Sequence, residues 1–402
     1  MNKKLPVEFR HFIGARLFFV LGIRMITTIV MYQVFHLAST YMVGIAGLAE
    51  FVPAVIAALY AGHYIDIHNK KNILVWAYIF YMLCGFTLAL VSLPMIQLEA
   101  GTKIMAILSV VFCTGIIRSF AGPAANSMIA AIVPKENLQR AVSLNSSTWL
   151  ISSIIGHACG GLLIAAIGIS NAYFVSAGFI LTAVVFAIQL KPKPPVLKAA
   201  SDPVLKSIKL GFSYLFNNKN LLGVMSLDLF AVLFGGAVAF IPEIAEKVLH
   251  TNAVGYGFLN AAMDIGSLIG MGIIMISPLR RKQGLKMLIA VMGFGVFIIV
   301  FGLSKVYWLT FAALLIAGLF DAVSVVVRGT IMQLNTPDEL RGRVASINLI
   351  FINSSNELGQ FESGITSKWM GTIPAIWFGG AMSIIVAAVT WIKFPGLKKL
   401  EY

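Results

Sequence analysis

The chain is poor in charge. Only 11% of its 402 residues are Asp, Glu, Lys or Arg, against 59% hydrophobic residues, and its mean hydropathy is +0.90. At this length a soluble protein would form two or three domains with polar surfaces, and the composition holds no material for them. Cysteine is scarce as well. Cys84, Cys113 and Cys159 are odd in number, widely spaced and set in apolar runs, which argues against a disulfide framework or a metal cluster and leaves small apolar fillers. The six histidines are scattered, with no His-Glu-x-x-His pair and no Gly-x-Ser-x-Gly elbow, so an intramembrane enzyme is disfavoured.

Long apolar runs are what the chain has. A membrane-spanning helix needs about 20 apolar residues. Twelve such segments can be read, near 12–36, 41–62, 73–93, 104–132, 141–167, 172–190, 221–244, 254–277, 285–304, 306–333, 344–368 and 373–393. The expected class is an all-α membrane protein. Met1 to Phe12 is basic, but the apolar run after it is too long for a signal-peptide core, so an uncleaved first helix is expected.

The net charge of +14 invites a nucleic-acid reading, which the positions of the 30 Lys and Arg residues make unnecessary. Lys103, Lys247, Lys305 and Lys368 fall in loops on one side, and Arg16, Arg24, Arg118 and Arg328 fall within spans. All the others gather on the opposite side, which the positive-inside rule makes the cytoplasm, together with both termini. Membrane lipid and a small molecule are then the expected partners, and nucleic acid is not.

The largest polar interruption runs from Lys191 to Asn220 and opens with Lys-Pro-Lys-Pro-Pro, which no helix can continue through. It divides the chain into 1–190, a linker at 191–220, and 221–402. Within the linker, Asp202 is placed to cap a helix from Pro203. Val204, Leu205, Ile208, Phe212, Leu215 and Phe216 would form its apolar face opposite Lys206 and Lys209, predicting an amphipathic connector at the inner membrane surface. A repeat supports the division. Pro134-x-Glu136-x-x-x-Arg140-x-x-Ser143-x-Asn145 recurs, shifted by 203 residues, as Pro337-x-Glu339-x-x-x-Arg343-x-x-Ser346-x-Asn348. Two six-helix bundles related by pseudo-symmetry are therefore expected, and transporters of that build carry substrate between their halves.

Charges inside spans are expensive, so they are the candidate functional residues. By the rise of about 1.5 Å per residue, Arg24 and Glu50 lie at the same depth in the first two spans, which predicts that they pair. Asp228, Asp264, Asp321 and Glu357 occupy the second half, where Arg328 is the candidate cation. Four acids with one base cannot all stay ionised in low dielectric, so some should bind protons. Glu362 shares the polar stretch Asn353–Gly364 with Glu357, but five residues is about 140° of helix, so the two cannot share a face. Thr336 and Glu339 predict a capping box where this helix begins.

Several motifs resemble the major facilitator superfamily, and within it the enterobactin-exporter and macrolide-efflux type. Gly62-His63-Tyr64-Ile65-Asp66-Ile67-His68-Asn69-Lys70-Lys71 is similar to its loop between helices two and three, with Ile67 for the usual Arg and Asn69 for a Gly. Asn69 is expected to supply the left-handed conformation of that Gly. The resemblance implies a cytoplasmic gate of Gly62, Asp66, Lys70, Lys71 and Arg140 with Arg341 and Arg343, in which Asp66 meets the start of helix eleven. Arg118-x-x-x-Gly122-Pro123 resembles the proton-linked Arg motif of helix four, and the repeat sets Arg118 opposite Asp321. Gly156-His157-Ala158-Cys159-Gly160-Gly161 resembles the antiporter motif of helix five with His157 in place of Pro; the residue is either a proton carrier or a hydrogen-bonded packing group. Thr336 to Val344 and Ser355 to Gly364 are closest to the enterobactin-exporter pattern.

The resemblance implies a monomeric, proton-coupled exporter in a bacterial inner membrane. It would use the proton-motive force and no cofactor, and move a siderophore or, next, a macrolide-like drug. An importer or lipid flippase on the same fold is the alternative, and a non-transporting receptor the remaining one.

Overall fold

The computed structural model describes residues 5–193, 204–279 and 281–398, and every regular element in them is helical. The helices are α1 (Val7–Leu37), α2 (Thr40–Ile67), α3 (Lys70–Val91), α4 (Ala100–Ile132), α5 (Leu138–Ile188), α6 (Val204–Asn217), α7 (Lys219–Phe234), the single turn α8 (Ile241–Glu243), α9 (Ala253–Ile276), α10 (Gln283–Leu303), α11 (Tyr307–Leu334), α12 (Asp338–Met370), α13 (Thr372–Lys393) and α14 (Pro395–Lys398). A 3-10 turn (Ala237–Phe240) and a π turn (Ile244–Val248) flank α8 and carry the path of α7 onward.

Ten helical stretches among the described residues are long and apolar enough to span a membrane. They account for eleven of the twelve segments read from the sequence. The α5 run covers two, because Gly168 breaks it at φ 79° and ψ 169°, a backbone conformation that only glycine adopts without strain. The twelfth is α12, whose polar residues hold it below the hydropathy of a simple span. Large apolar side chains face outward, among them Trp308, Trp369 and Ile276, as a lipid solvent requires.

The contacts divide the chain into two units. One comprises Met1–Ala38, Ala49–Ala200 and Asn252–Ala261, the other Ser39–Leu48, Ser201–Thr251 and Ala262–Tyr402. In the first, α1 packs along α5, and α3 on α4 and α5. In the second, α10 packs on α11 and α13, and α7 on α12 and α13. The core of the second unit joins Val224, Leu227 and Ala231 of α7 to Met287, Leu288 and Val291 of α10 and Val327 and Ile331 of α11.

Three local expectations are corrected. Asn69 has φ −68° and ψ 112°; its side chain accepts from the Lys71 amide at 3.1 Å, so it serves as the N-cap of α3 and needs no left-handed turn. The left-handed residue is Lys282, at φ 53° in the matching turn before α10. No capping box forms on α12 either. Pro337 occupies the cap, one residue after Thr336, whose buried hydroxyl has no hydrogen-bond partner among the described residues. The linker helix α6 is more than a surface connector. Leu215 is buried with Leu221, Met225, Val344 and Ile347, Phe212 packs beside them, and Tyr214 donates a hydrogen bond to the carbonyl of Asn335. Phe216 and Leu210 on α6 stay exposed, while Asp202 and Pro203 lie outside the described residues.

Candidate functional site

In the first unit the charge pairing differs from the expectation. Glu50 pairs with Arg118 of α4 at 2.8 Å, not with Arg24. Equal depth fixes where two groups stand along their helices but not which way they point. Gly115, one turn before Arg118, decides it: a Cβ there would lie 2.2 Å from the Glu50 carbonyl, so α4 and α2 touch at this level. Arg24 instead sets its guanidinium 4.8 Å from the centroid of the Trp149 ring. The Glu50 and Arg118 side chains are 18% and 35% exposed.

His157 is buried on the face of α5 that meets α1. Thr28 gives its hydroxyl proton to the Arg24 carbonyl at 2.9 Å, and its oxygen lies 2.7 Å from His157 Nδ1, which is left to donate to it. The Tyr256 hydroxyl donates to the Thr28 carbonyl at 3.0 Å. In either reading of His157, this hydrogen bond holds the ring in place. Gly156 fits against the Cβ of Arg24 and Gly160 against Thr28, so two of the three glycines of the helix-five motif seat α1.

The third, Gly161, marks a helix crossing. A Cβ on Gly161 would lie 2.6 Å from the Gly257 Cα in the first unit, and one on Gly364 would lie 3.0 Å from the Gly44 Cα in the second. These crossings are copies of each other. Gly364 follows Gly161 by 203 residues, the shift of the sequence repeat. Gly257 follows Gly44 by 213, as the start of α9 follows that of α2 and the start of α10 that of α3. Sequence reasoning placed Gly161 and Gly364 inside motifs without foreseeing the crossings, although applying the repeat shift to Gly161 reaches Gly364 directly.

The residues of the expected cytoplasmic gate differ in exposure. Gly62, Asp66 and Arg140 are exposed, Lys70 is buried as the first residue of α3, and Lys71 lends its amide to Asn69. The side chains of Arg341 and Arg343 lie outside the described residues. Glu8, which the sequence did not single out, holds the start of the linker by accepting from the Lys191 amide and the Lys193 ammonium, each at 3.0 Å.

In the second unit Asp228 of α7 forms an ion pair with Arg328 of α11, each side chain only 6% exposed. Ser324 donates to the other carboxylate oxygen at 3.1 Å. Asp264 of α9 and Asp321 of α11 are half-buried, and the charge of Asp264 reaches Asp321. Glu357 is 5% exposed, on the side of α12 where its carbonyl and Gln360 meet Gly47 of α2; Glu362 stands about 140° away and is half-buried. Another face of α12 meets α7 and the turn after it, where Ser363 donates to the Gly236 carbonyl at 2.9 Å. A further acid was missed. Glu243 accepts from Thr40, from Thr372 at 2.7 Å and from Lys247 at 3.1 Å, and so ties the starts of α2 and α13 to the end of α8. Its only sequence signal is a carboxylate beside Pro242 in an apolar run.

Paired charges inside apolar helices, arranged in two related helix sets, suit a carrier that cycles between states. Residues 13–359 match the family model of the Major Facilitator Superfamily. The chain belongs to that superfamily. Among curated relatives it is 27% identical over 310 residues to the protein named Enterobactin exporter EntS of Shigella boydii serotype 18, covering 76% of this chain and 72% of that one. It is 26% identical, with the same coverage, to EntS of Escherichia coli O1:K1. Solved superfamily structures share the fold. A bacterial homologue of the human lysosomal transporter Spinster, inward-facing and unoccupied, gives a TM-score of 0.76 at 14% identity over 97% of both chains. A D-xylose–proton symporter gives 0.75 at 15% identity over 98% of this chain and 99% of that one. The protein is thus a multi-pass superfamily transporter for a small molecule, and not an enzyme.

Proposed function

We propose that this superfamily member exports an amphipathic small molecule across a bacterial inner membrane in exchange for protons, by alternating access. A catecholate siderophore such as enterobactin is the first candidate, and a macrolide-like drug the second. Similarity to relatives named enterobactin exporters supports the direction and the substrate class. The observation that carries the coupling is the set of acids in the spans of the second unit: Asp228 and Glu357 are buried, and Asp264 and Asp321 are half-buried. Lipid tolerates such groups only when they are paired or protonated.

In this reading both termini are cytoplasmic, the protein works as a monomer, and the proton-motive force is the energy source, with no cofactor. Protonation favours one facing state and substrate the other, which couples the two fluxes. Gly62, Asp66, Lys70, Lys71, Arg140, Arg341 and Arg343 form the cytoplasmic gate. An importer or lipid flippase is the second reading, favoured by His157 where antiporters carry a proline.

The test uses proteoliposomes with an imposed pH gradient and enterobactin as the probe. Wild type should accumulate it against its gradient as protons flow out, and Glu357→Gln and Asp264→Asn should each cut the gradient-driven rate by about tenfold, equivalent to about 1.4 kcal/mol. Unchanged rates in both variants would sink the coupling. Movement in the opposite direction would favour the importer, and transport of erythromycin in place of enterobactin would favour the drug pump.

A further inference from the structure

Asp321, Ser324 and Arg328 lie three and seven residues apart along α11 and so form one stripe. Asp228 of α7 faces that stripe and is fully occupied: one carboxylate oxygen meets Arg328 and the other accepts from Ser324. Asp321 borders the same small cavity as Asp228 and Ser324, walled by Ala231, Val291, Phe294 and Phe320, with room for about one water. Unlike Asp228, Asp321 has no hydrogen bond or ion pair among the described residues. Among the described residues that line this cavity, α7 presents Asp228 and α10 presents Val291 and Phe294, and α9 brings the charge of Asp264, another acid, to bear on Asp321.

The count of charges therefore does not balance with both acids ionised. A lone carboxylate in such a wall is cheaper neutral than charged, and a second carboxylate within its field adds to the cost. Arg328 stands about 10 Å along the helix from Asp321, near the limit of its side chain's reach.

We propose that Asp228 and Asp321 share one cation and one proton, so that whichever acid is without Arg328 holds the proton. In the state described here Arg328 is on Asp228 and the proton is on Asp321. In the alternate state the guanidinium moves to Asp321, and the proton that leaves Asp321 is matched by one bound at Asp228, so the cluster keeps its charge while its proton changes place. This rests on the proton-coupled reading above and names Arg328 and Ser324 as the groups that position its carrier.

The experiment reads the proton without a substrate. Wild-type protein in liposomes of Escherichia coli polar lipid is followed by infrared difference spectroscopy, using the carbonyl stretch of protonated carboxyl groups at neutral pH. Asp321→Asn should remove one component of that band. Asp228→Asn should remove one as well, because Arg328 is then free to pair with Asp321 and ionise it, whereas Asp264→Asn should leave that component in place. Asp321→Glu, which keeps the carboxyl group, should shift the component and so guards against an Asn variant that fails to fold. A band unchanged in Asp321→Asn or in Asp321→Glu overturns the assignment of the proton, and one unchanged in Asp228→Asn overturns the sharing. If the band behaves as stated while wild type shows no gradient-driven movement of enterobactin, the exporter reading fails and the proton site stands.

Discussion

Arg328→Gln is expected to be among the most destabilising single substitutions in the protein, and its cost should depend on pH. The variant leaves Asp228 buried at 4% exposure without its cation. Breaking a buried pair from one side costs about 3–5 kcal/mol, because the surviving charge has lost its compensation. The cheapest escape is for the carboxylate to take a proton. From an ordinary value of about 3.9 that costs about 4 kcal/mol at pH 7 and about 1.5 kcal/mol at pH 5. The deficit against wild type should therefore shrink as pH falls, the sign expected when the folded variant binds a proton that its unfolded chain does not hold at neutral pH. Reversible unfolding in mixed detergent at the two pH values checks this. The double variant Arg328→Gln with Asp228→Asn removes both charges and should recover most of the loss; a double variant as unstable as the single one would mean that packing, not charge, is what Arg328 supplies.

The second large effect separates the two glycine crossings. A Gly→Ala change within a helix gains about 1 kcal/mol of propensity wherever it is made, while overpacking costs about 1–3 kcal/mol. At Gly161 the new methyl would lie 2.3 Å from the Ala253 carbonyl and 2.6 Å from the Gly257 Cα, both backbone atoms with nowhere to move. At Gly364 the nearest contacts are 3.0 and 3.1 Å, so a shift of a few tenths of an ångström relieves them. Gly161→Ala should accordingly lower the thermal midpoint and slow transport of the probe, whereas Gly364→Ala should be close to neutral in both. Equal effects at the two sites would show that the crossings are not held by close approach.

Much of this was legible in the sequence because membrane helices obey few rules. Twelve apolar segments, the repeat and the acids of the second half follow from hydropathy and identity alone. What the sequence could not supply was azimuth. Arg24 and Glu50 stand level, but the direction of Glu50 is set by the contact at Gly115, which depends on how α2 and α4 are turned about their axes. Which of the four acids Arg328 pairs with was hidden for the same reason, and the structure gives it to Asp228. Asn69 was misread because asparagine suits both a left-handed turn and an N-cap, and the cap has the stronger local claim once α3 begins at the next residue.

The two shifts of the repeat, 213 residues up to the third helix of each half and 203 beyond the fourth, carry a practical consequence. The first half has ten more residues than the second between those helices, some in the loop from Ser92 to Glu99 and some in the longer start of α4. The crossings on either side, at Gly44 and Gly161, still have their counterparts at Gly257 and Gly364. The two halves thus keep the same crossings with connections of different length. For anyone attaching a fluorophore or an affinity handle, Met95 at its tip, 90% exposed, is the position with the best precedent.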